Sequence, residues 1–329
     1  MAIYRRLGRL FKMGRAFRQK ALRLSYFPSR IWVELTDHCN LRCPRCPNKD
    51  LPKDEKGFMS FSLFQDLMQQ CRGRVDDIYL FHRGEPLLHP EAPEMIAYAQ
   101  KLGISCRLHT NATLLTPTLS RKLIQSGLKV LSFSFDGYQP AEYEAERFPA
   151  RFEGTLARIK DFLILKKEAG SSRPVTVLQM MRTKPPKSDT EWRDFLGSLT
   201  SLGLDRVVFR RPHNWGGALP SSPEGDKGTN QRPLGVCTFP WYALVVYWDG
   251  RVGPCPQDFF ARIVVGDLNR NRLEEIWNGP SLVELRKRIG RLEYTALTPC
   301  RDCDRPRRRQ WAGVPTEYLT TFLQDRLAG

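Results

Sequence analysis

The chain has 329 residues, with 52 Lys and Arg against 35 Asp and Glu, giving a formal net charge of +17. That length buries a large core, and the charge points to an anionic partner: nucleic acid, a membrane surface or a phosphorylated substrate. The longest apolar run, Trp241 to Trp248, has eight residues, well short of the ~20 that a membrane-spanning helix needs. The N-terminus lacks the apolar core of a signal peptide, so the nine cysteines read as thiols of a reducing cytoplasm.

Residues 1–28 carry eight Lys or Arg and no acid, with Ile3, Leu7, Leu10, Gly14, Phe17, Ala21 and Leu24 spaced three or four apart. This predicts a basic amphipathic helix, which either contacts an anionic membrane surface or packs under the barrel that follows with its charges solvated. From Arg30 to Arg210, short β-branched runs alternate with longer helical stretches. The predicted strands are Ile31–Thr36, Asp77–Phe81, Ser105–Thr110, Val130–Phe135, Val175–Met180 and Arg206–Arg210. Six strands with intervening helices predict an α/β fold, a partial (β/α)6 TIM-like barrel over residues 29–212, with functional groups in the loops after the strands. Residues 213–236, rich in Gly, Pro and Ser, form a linker or substrate loop. A second cysteine-bearing module spans 237–304, and a basic tail spans 305–329.

The first chemical motif, Cys39-x3-Cys43-x2-Cys46, follows the first strand directly. Three thiolates can bind three irons of a four-iron cube and leave the fourth iron open. Zinc is the alternative, with His38 as a further ligand. Beyond the cysteines come His82-Arg83-Gly84-Glu85-Pro86 after the second strand, His109-Thr110-Asn111-Ala112 at the end of the third, and Ser132 to Gly137 at the end of the fourth.

Together these motifs resemble the radical S-adenosylmethionine (SAM) superfamily over residues 30–304. The resemblance implies that Cys39, Cys43 and Cys46 hold a [4Fe–4S] cluster whose open iron is chelated by SAM, and that the cofactor is cleaved to a 5′-deoxyadenosyl radical. It further implies SAM contacts from Gly84, Glu85 and Pro86, from Asn111 and Ser134, from Arg147 to the SAM carboxylate, and from Gln179. Arg45 stands where relatives carry an aromatic residue against the adenine. Arg83 replaces the first glycine of the family's Gly-Gly-Glu-Pro motif, and Ala112 replaces the glycine of Thr-Asn-Gly.

Cys237, Cys255, Cys300 and Cys303 supply four more thiolates. They resemble the SPASM/twitch extension of radical SAM enzymes, in the form with one auxiliary [4Fe–4S] cluster; a four-cysteine zinc knot is the alternative. Cys71 and Cys106 read as core residues, although a hydrogen-donating cysteine occurs in radical epimerases.

The four-cysteine arrangement is similar to twitch-type aminocyclitol dehydrogenases. It implies hydrogen abstraction from a polar, sugar-like or cyclitol-like substrate, with the auxiliary cluster taking an electron, as dehydrogenation or as epimerisation. The expected partners are a polar or anionic small molecule near Arg210, Arg211, His213 and Trp215, with His213 as base, and an electron donor such as flavodoxin or ferredoxin. Maturation of a peptide or protein is a second reading. A non-catalytic basic iron–sulfur module is a third, and no nucleic-acid motif supports it.

Overall fold

The computed structural model describes residues 2–75, 77–181, 189–220, 233–308, 310–311 and 314–316. A leading helix, α1 (Ala2–Arg18), precedes six strands: β1 (Arg30–Val33), β2 (Asp77–Tyr79), β3 (Ser105–Thr110), β4 (Val130–Ser134), β5 (Val175–Met181) and β6 (Arg206–Arg210). They pair in parallel and in sequential order, as the alternating pattern predicts. Period-two alternation sorts their side chains: Ile31, Ile78 and Cys106 share one register line and are buried against helices. Trp32, Tyr79 and Arg107 share the next and line the barrel interior.

The covering helices are α2 (Phe61–Cys71), α3 (Ala92–Lys101), α4 (Pro117–Gln125), α5 (Pro140–Glu146), α6 (Phe152–Glu168) and α7 (Thr190–Thr200). Their starts are encoded locally. The side chains of Ser60, Thr116 and Asp189 accept from the amides of Leu63, Leu119 and Trp192 at 3.2, 3.2 and 2.8 Å, and proline opens α3, α4 and α5. Cys71 and Cys106 are fully buried in the core beneath these helices.

The strands of the second cysteine module continue the barrel sheet. Its first strand, β7 (Ala243–Val246), runs parallel to β1, with Ile31 opposite Leu244. β8 (Arg251–Gly253) and β9 (Gly266–Asp267) then continue the same sheet antiparallel. The barrel and the module therefore share one backbone hydrogen-bond network, which local periodicity cannot reveal. α8 (Leu273–Trp277) and α9 (Pro280–Gly290) complete the module's helical part. Residues 221–232 of the expected linker and most of the tail after 308 lie outside the described residues.

The N-terminal segment differs from expectation. Helix α1 stops at Arg18, and residues 19–28 are strapped across the cysteine module rather than under the barrel. Phe17 meets Trp241 edge-on at 5.5 Å, Trp241 Nε1 donates to Ala21 O at 3.0 Å, and Trp277 Nε1 donates to Tyr26 O at 2.6 Å. Arg286, fully buried, stacks on Trp277 and donates to the carbonyls of Leu22, Pro240 and Trp277 at 2.8–2.9 Å. A buried guanidinium needs such acceptors, and the N-terminal backbone supplies one of them. No helix among the described residues is long and apolar enough to cross a membrane.

Candidate active site

A cavity of about 1420 Å³ gathers residues from the C-terminal ends of all six parallel strands. Cys39, Cys43 and Cys46 line one side of it, in the loop after β1. Burial raises all three thiols, Cys39 to about 12 and Cys46 to about 11, and nearby thiols add to the rise at both. Buried thiols of this kind become thiolates when they bind a metal. Among the described residues, no three His, Cys, Asp or Glu side chains converge as a single bound ion demands. A cube takes one thiolate at each corner instead, so this donor set of neighbouring but non-convergent thiols suits a cluster better than zinc.

The loop after β2 is clamped to the cysteine loop. Gly84 lies so close to it that a Cβ would fall 2.4 Å from Thr36 O and 2.5 Å from His38 O, and Glu85 N donates to His38 O at 2.8 Å. Only glycine permits that approach. The buried Glu85 carboxylate accepts from Thr110 Oγ1 and Asn111 N, both at 2.7 Å, and from Leu87 N at 3.1 Å. Burial nevertheless pushes it up to about 7, against the pull of these donors and of Arg147. Asn111 also lines the cavity, its Nδ2 donating to Asn40 Oδ1 at 2.9 Å and its Oδ1 accepting from Thr113. Its side chain therefore braces the cysteine loop. Ala112 adopts φ 65°, the left-handed conformation that explains why glycine suits this position in relatives.

Ser134 and Gln179 are opposite one another on β4 and β5 and both line the cavity. Of the remaining expected contacts, Arg147 and Arg45 line the cavity and Pro86 does not. Arg147 lines the cavity but is ion-paired with Asp136 at 2.5 Å and hydrogen-bonded to the Cys43 thiol; an acid at the end of β4 captures it. Arg45 also lines the cavity, with a half-exposed side chain that pairs with Glu146 at 3.0 Å. Pro86 opens a short 3-10 turn and does not line the cavity. Towards the other end, Arg210 and His213 line the cavity with Arg211 and Trp215. His213 packs edge-on to Trp215 at 4.3 Å and has a buried Nε2. Burial, then Arg305 and Arg308, hold its imidazole well below the usual range, so it is neutral at pH 7.

Cys237, Cys255, Cys300 and Cys303 form the second thiol group, each raised by burial, Cys303 to about 12. Cys255 is also raised by the other three, which places all four together, and none of them lines the cavity. Tyr294 fixes the first: Cys237 N donates to its hydroxyl at 2.9 Å, which donates to Gly235 O at 2.8 Å.

Sequence reasoning missed a buried polar bridge between the two thiol groups. Glu34, fully buried just after β1, accepts from Arg83 Nε and Nη2, both at 2.7 Å. Burial alone would raise Glu34, but Arg83 and His82 hold it down at about 2. Asp37 adds a contact to Arg83 at 3.3 Å, and Tyr247 of the cysteine module lies under the guanidinium at 4.8 Å. His82 reaches Glu34 at 3.3 Å and the carbonyl of Pro256, the residue after Cys255, at 3.0 Å. The available signal was a carboxylate inside an apolar strand run, which demands a buried partner.

Comparison with known proteins agrees with this geometry. The radical SAM superfamily profile matches residues 33–196, and that of an iron–sulfur cluster-binding domain, SPASM, matches 237–304. The tungsten-containing aldehyde ferredoxin oxidoreductase cofactor-modifying protein of Pyrococcus furiosus is 24% identical over 82% of this chain and 86% of its own length. The S-adenosyl-L-methionine-dependent 2-deoxy-scyllo-inosamine dehydrogenase of Niallia circulans is 23% identical over 84% of this chain and 92% of its own. The fold recurs in BtrN crystallised with AdoMet and 2-DOIA, at 20% identity and a TM-score of 0.58, covering 85% of this chain and 94% of that one. With the two profiles covering most of the described sequence and both thiol groups, the chain belongs to the radical SAM superfamily and is a SAM-dependent enzyme with a [4Fe–4S] cluster and a SPASM auxiliary iron–sulfur domain.

Proposed function

We propose that the enzyme is an oxidoreductase that dehydrogenates a polar, polyol-like small molecule. Cys39, Cys43 and Cys46 hold the SAM-binding cluster, and Cys237, Cys255, Cys300 and Cys303 hold one auxiliary cluster. When bound, these groups supply a carbon-centred radical that takes one hydrogen atom from a carbinol carbon, and a sink for the electron left behind. The protein's own residues do the rest. Glu85, with the Gly84 backbone, Ser134 and Gln179, positions SAM against the cysteine loop, and Arg147 shares its charge between Asp136 and the SAM carboxylate. His213, neutral in its buried site, takes the hydroxyl proton, and Arg210 orients the substrate beside it.

The observation that carries this reading is the shared cavity, which brings the cysteine loop and the His213 end into one continuous space. The dehydrogenase relative supports the reaction class, while the cofactor-modifying relative argues against carrying over either substrate. Among the described residues, no cysteine outside the trio lines the cavity, since Cys71 and Cys106 are in the core. This favours dehydrogenation over epimerisation, which requires a hydrogen donor to the substrate radical. Anaerobic turnover with SAM, reductant and a panel of cyclic polyols tests the proposal. The expected result is a ketone two hydrogens lighter than its substrate, formed in step with 5′-deoxyadenosine. An epimer of unchanged mass, or turnover of a peptide alone, would overturn it.

A further inference from the structure

The His213 end of the cavity is built jointly by the barrel and the cysteine module, and the joint is tightly fixed. Asn214, buried in the loop after β6, donates from Nδ2 to Asp302 O at 2.7 Å and accepts from Asp304 N at 3.2 Å. Gly216 adopts φ 61°, and a Cβ there would fall 3.0 Å from Gln257 O and 2.9 Å from Pro299 Cβ. Trp215, between these two residues, packs edge-on against His213 at 4.3 Å and Phe259 at 4.9 Å. The loop that carries His213 is therefore held against the segment that follows Cys255.

Two buried polar side chains at this joint have groups without a partner. His213 is anchored by a hydrogen bond to the Arg211 backbone, and its Nε2 is left unpaired. Gln257 is only 4% exposed and lines the cavity. Its Oε1 is buried without a hydrogen bond, and among the described residues its side chain has no hydrogen-bond partner at either end. Buried polar groups are nearly always hydrogen-bonded, so an orphaned amide bordering a cavity marks the place of a ligand's polar group. Gln257 borders the reactant space and the four thiols of its module do not, which makes substrate the ligand it awaits. An amide carries a donor and an acceptor side by side in one plane, a match for hydroxyls on neighbouring carbons. Trp215, also in the cavity lining, offers the apolar face of a ring an aromatic surface.

We propose that Gln257 is a substrate-binding residue supplied by the cysteine module, and that its amide holds two neighbouring hydroxyls of the substrate. One hydroxyl donates to Oε1. The other accepts from Nε2, which leaves its own proton for His213, and this is the carbinol that is oxidised. The inference deepens the dehydrogenase reading and rests on it. As in that reaction, the carbinol gives up its C–H hydrogen atom, its O–H proton and one electron. The neighbouring hydroxyl is retained, so a vicinal diol becomes an α-hydroxy ketone.

Isothermal titration of the anaerobically reconstituted full chain with SAM present tests this. The probes are myo-inositol, trans-1,2-cyclohexanediol and cis-1,3-cyclohexanediol, whose oxygens are too far apart for one amide. The first two are expected to saturate at one per chain and to bind at least about tenfold tighter than the 1,3-diol, the scale of a hydrogen bond left unmade at a buried group. Gln257→Met keeps the length of the side chain without its amide. It should bind the 1,2-diol as weakly as the 1,3-diol while keeping its iron. Gln257→Glu, which keeps the acceptor and loses the donor, should fall between, and Arg121→Gln, exposed on α4, should match the parent protein. Equal binding of the two diols by the parent, or an undiminished preference in Gln257→Met, would overturn the proposal. So would loss of iron in step with loss of binding, because Gln257 would then act by supporting the Cys255 loop. A preference abolished in Gln257→Met without oxidation of any polyol would leave the diol seat standing and refute the dehydrogenase reading. Oxidation of myo-inositol with an unchanged KM in Gln257→Met would do the reverse.

Discussion

The two thiol groups are built in opposite ways. Cys39, Cys43 and Cys46 come from one eight-residue loop, and all three line the cavity. Cys237, Cys255, Cys300 and Cys303 are assembled from three separate segments, and none lines it. One group faces reactants with three ligands; the other faces protein with four. The difference matches their chemistry, because an iron lacking a protein ligand must be reachable by SAM, whereas a closed cluster needs only a short electron path. The bridge of Glu34, Arg83 and His82 ties the two together, and its His82 ends one residue from Cys255.

The largest test of this contrast is iron content. Reconstituted protein should hold about eight irons per chain as two cubes, and both the Cys39/Cys43/Cys46 triple alanine variant and the Cys255/Cys300 double alanine variant should fall to about four. The contrast breaks if either variant loses all its iron, since the sites would then not load independently.

Next in size is the bridge. Replacing Arg83 with Met strands the fully buried Glu34 charge, which should cost about 3–5 kcal/mol in urea unfolding at pH 7. A loss below about 1 kcal/mol, the scale of an exposed ion pair, would show that the bridge does not join the halves.

Glu34 gives a pH test of nearly that size. Its carboxyl is held at about 2 against an ordinary value of 4.5, so between those values the unfolded chain binds more protons than the folded one. The resulting stability, about 3 kcal/mol, is fully present above pH 4.5 and is lost as pH falls through 2. The stability gap between wild type and Glu34→Gln should therefore be flat from pH 7 to 5 and shrink below 4.5. A gap already shrinking between pH 7 and 5 would contradict the assignment.

The smallest expected effect is local to the cavity loop. Ala112→Gly relieves the left-handed φ of 65° and should stabilise the protein by about 1 kcal/mol, read as a rise in urea midpoint. An unchanged or lower midpoint would mean that the loop does not strain Ala112.

Much of this architecture was legible in the sequence because its signals are local. Cysteine spacing, strand alternation and helix caps are set by residues a few positions apart, and Ser105–Thr110 and Arg206–Arg210 are strands as predicted. The illegible features depend on distant partners. β7 joins β1 across some 210 residues of chain. Arg45 and Arg147 read as cofactor contacts in the sequence and both line the cavity, but their pairing with Glu146 and Asp136 is visible only in the fold. Glu34 gave a signal, a charge in an apolar run, but its meaning required Arg83 from the next loop.

The central claim is that the cavity-facing thiols, and they alone, start the chemistry. Anaerobic incubation with SAM and dithionite measures it directly. 5′-Deoxyadenosine is expected from the wild type and from the Cys255/Cys300 double variant, and none from the Cys39/Cys43/Cys46 triple variant. Cofactor cleavage by the triple variant, or none from a wild type carrying its full iron, would contradict it.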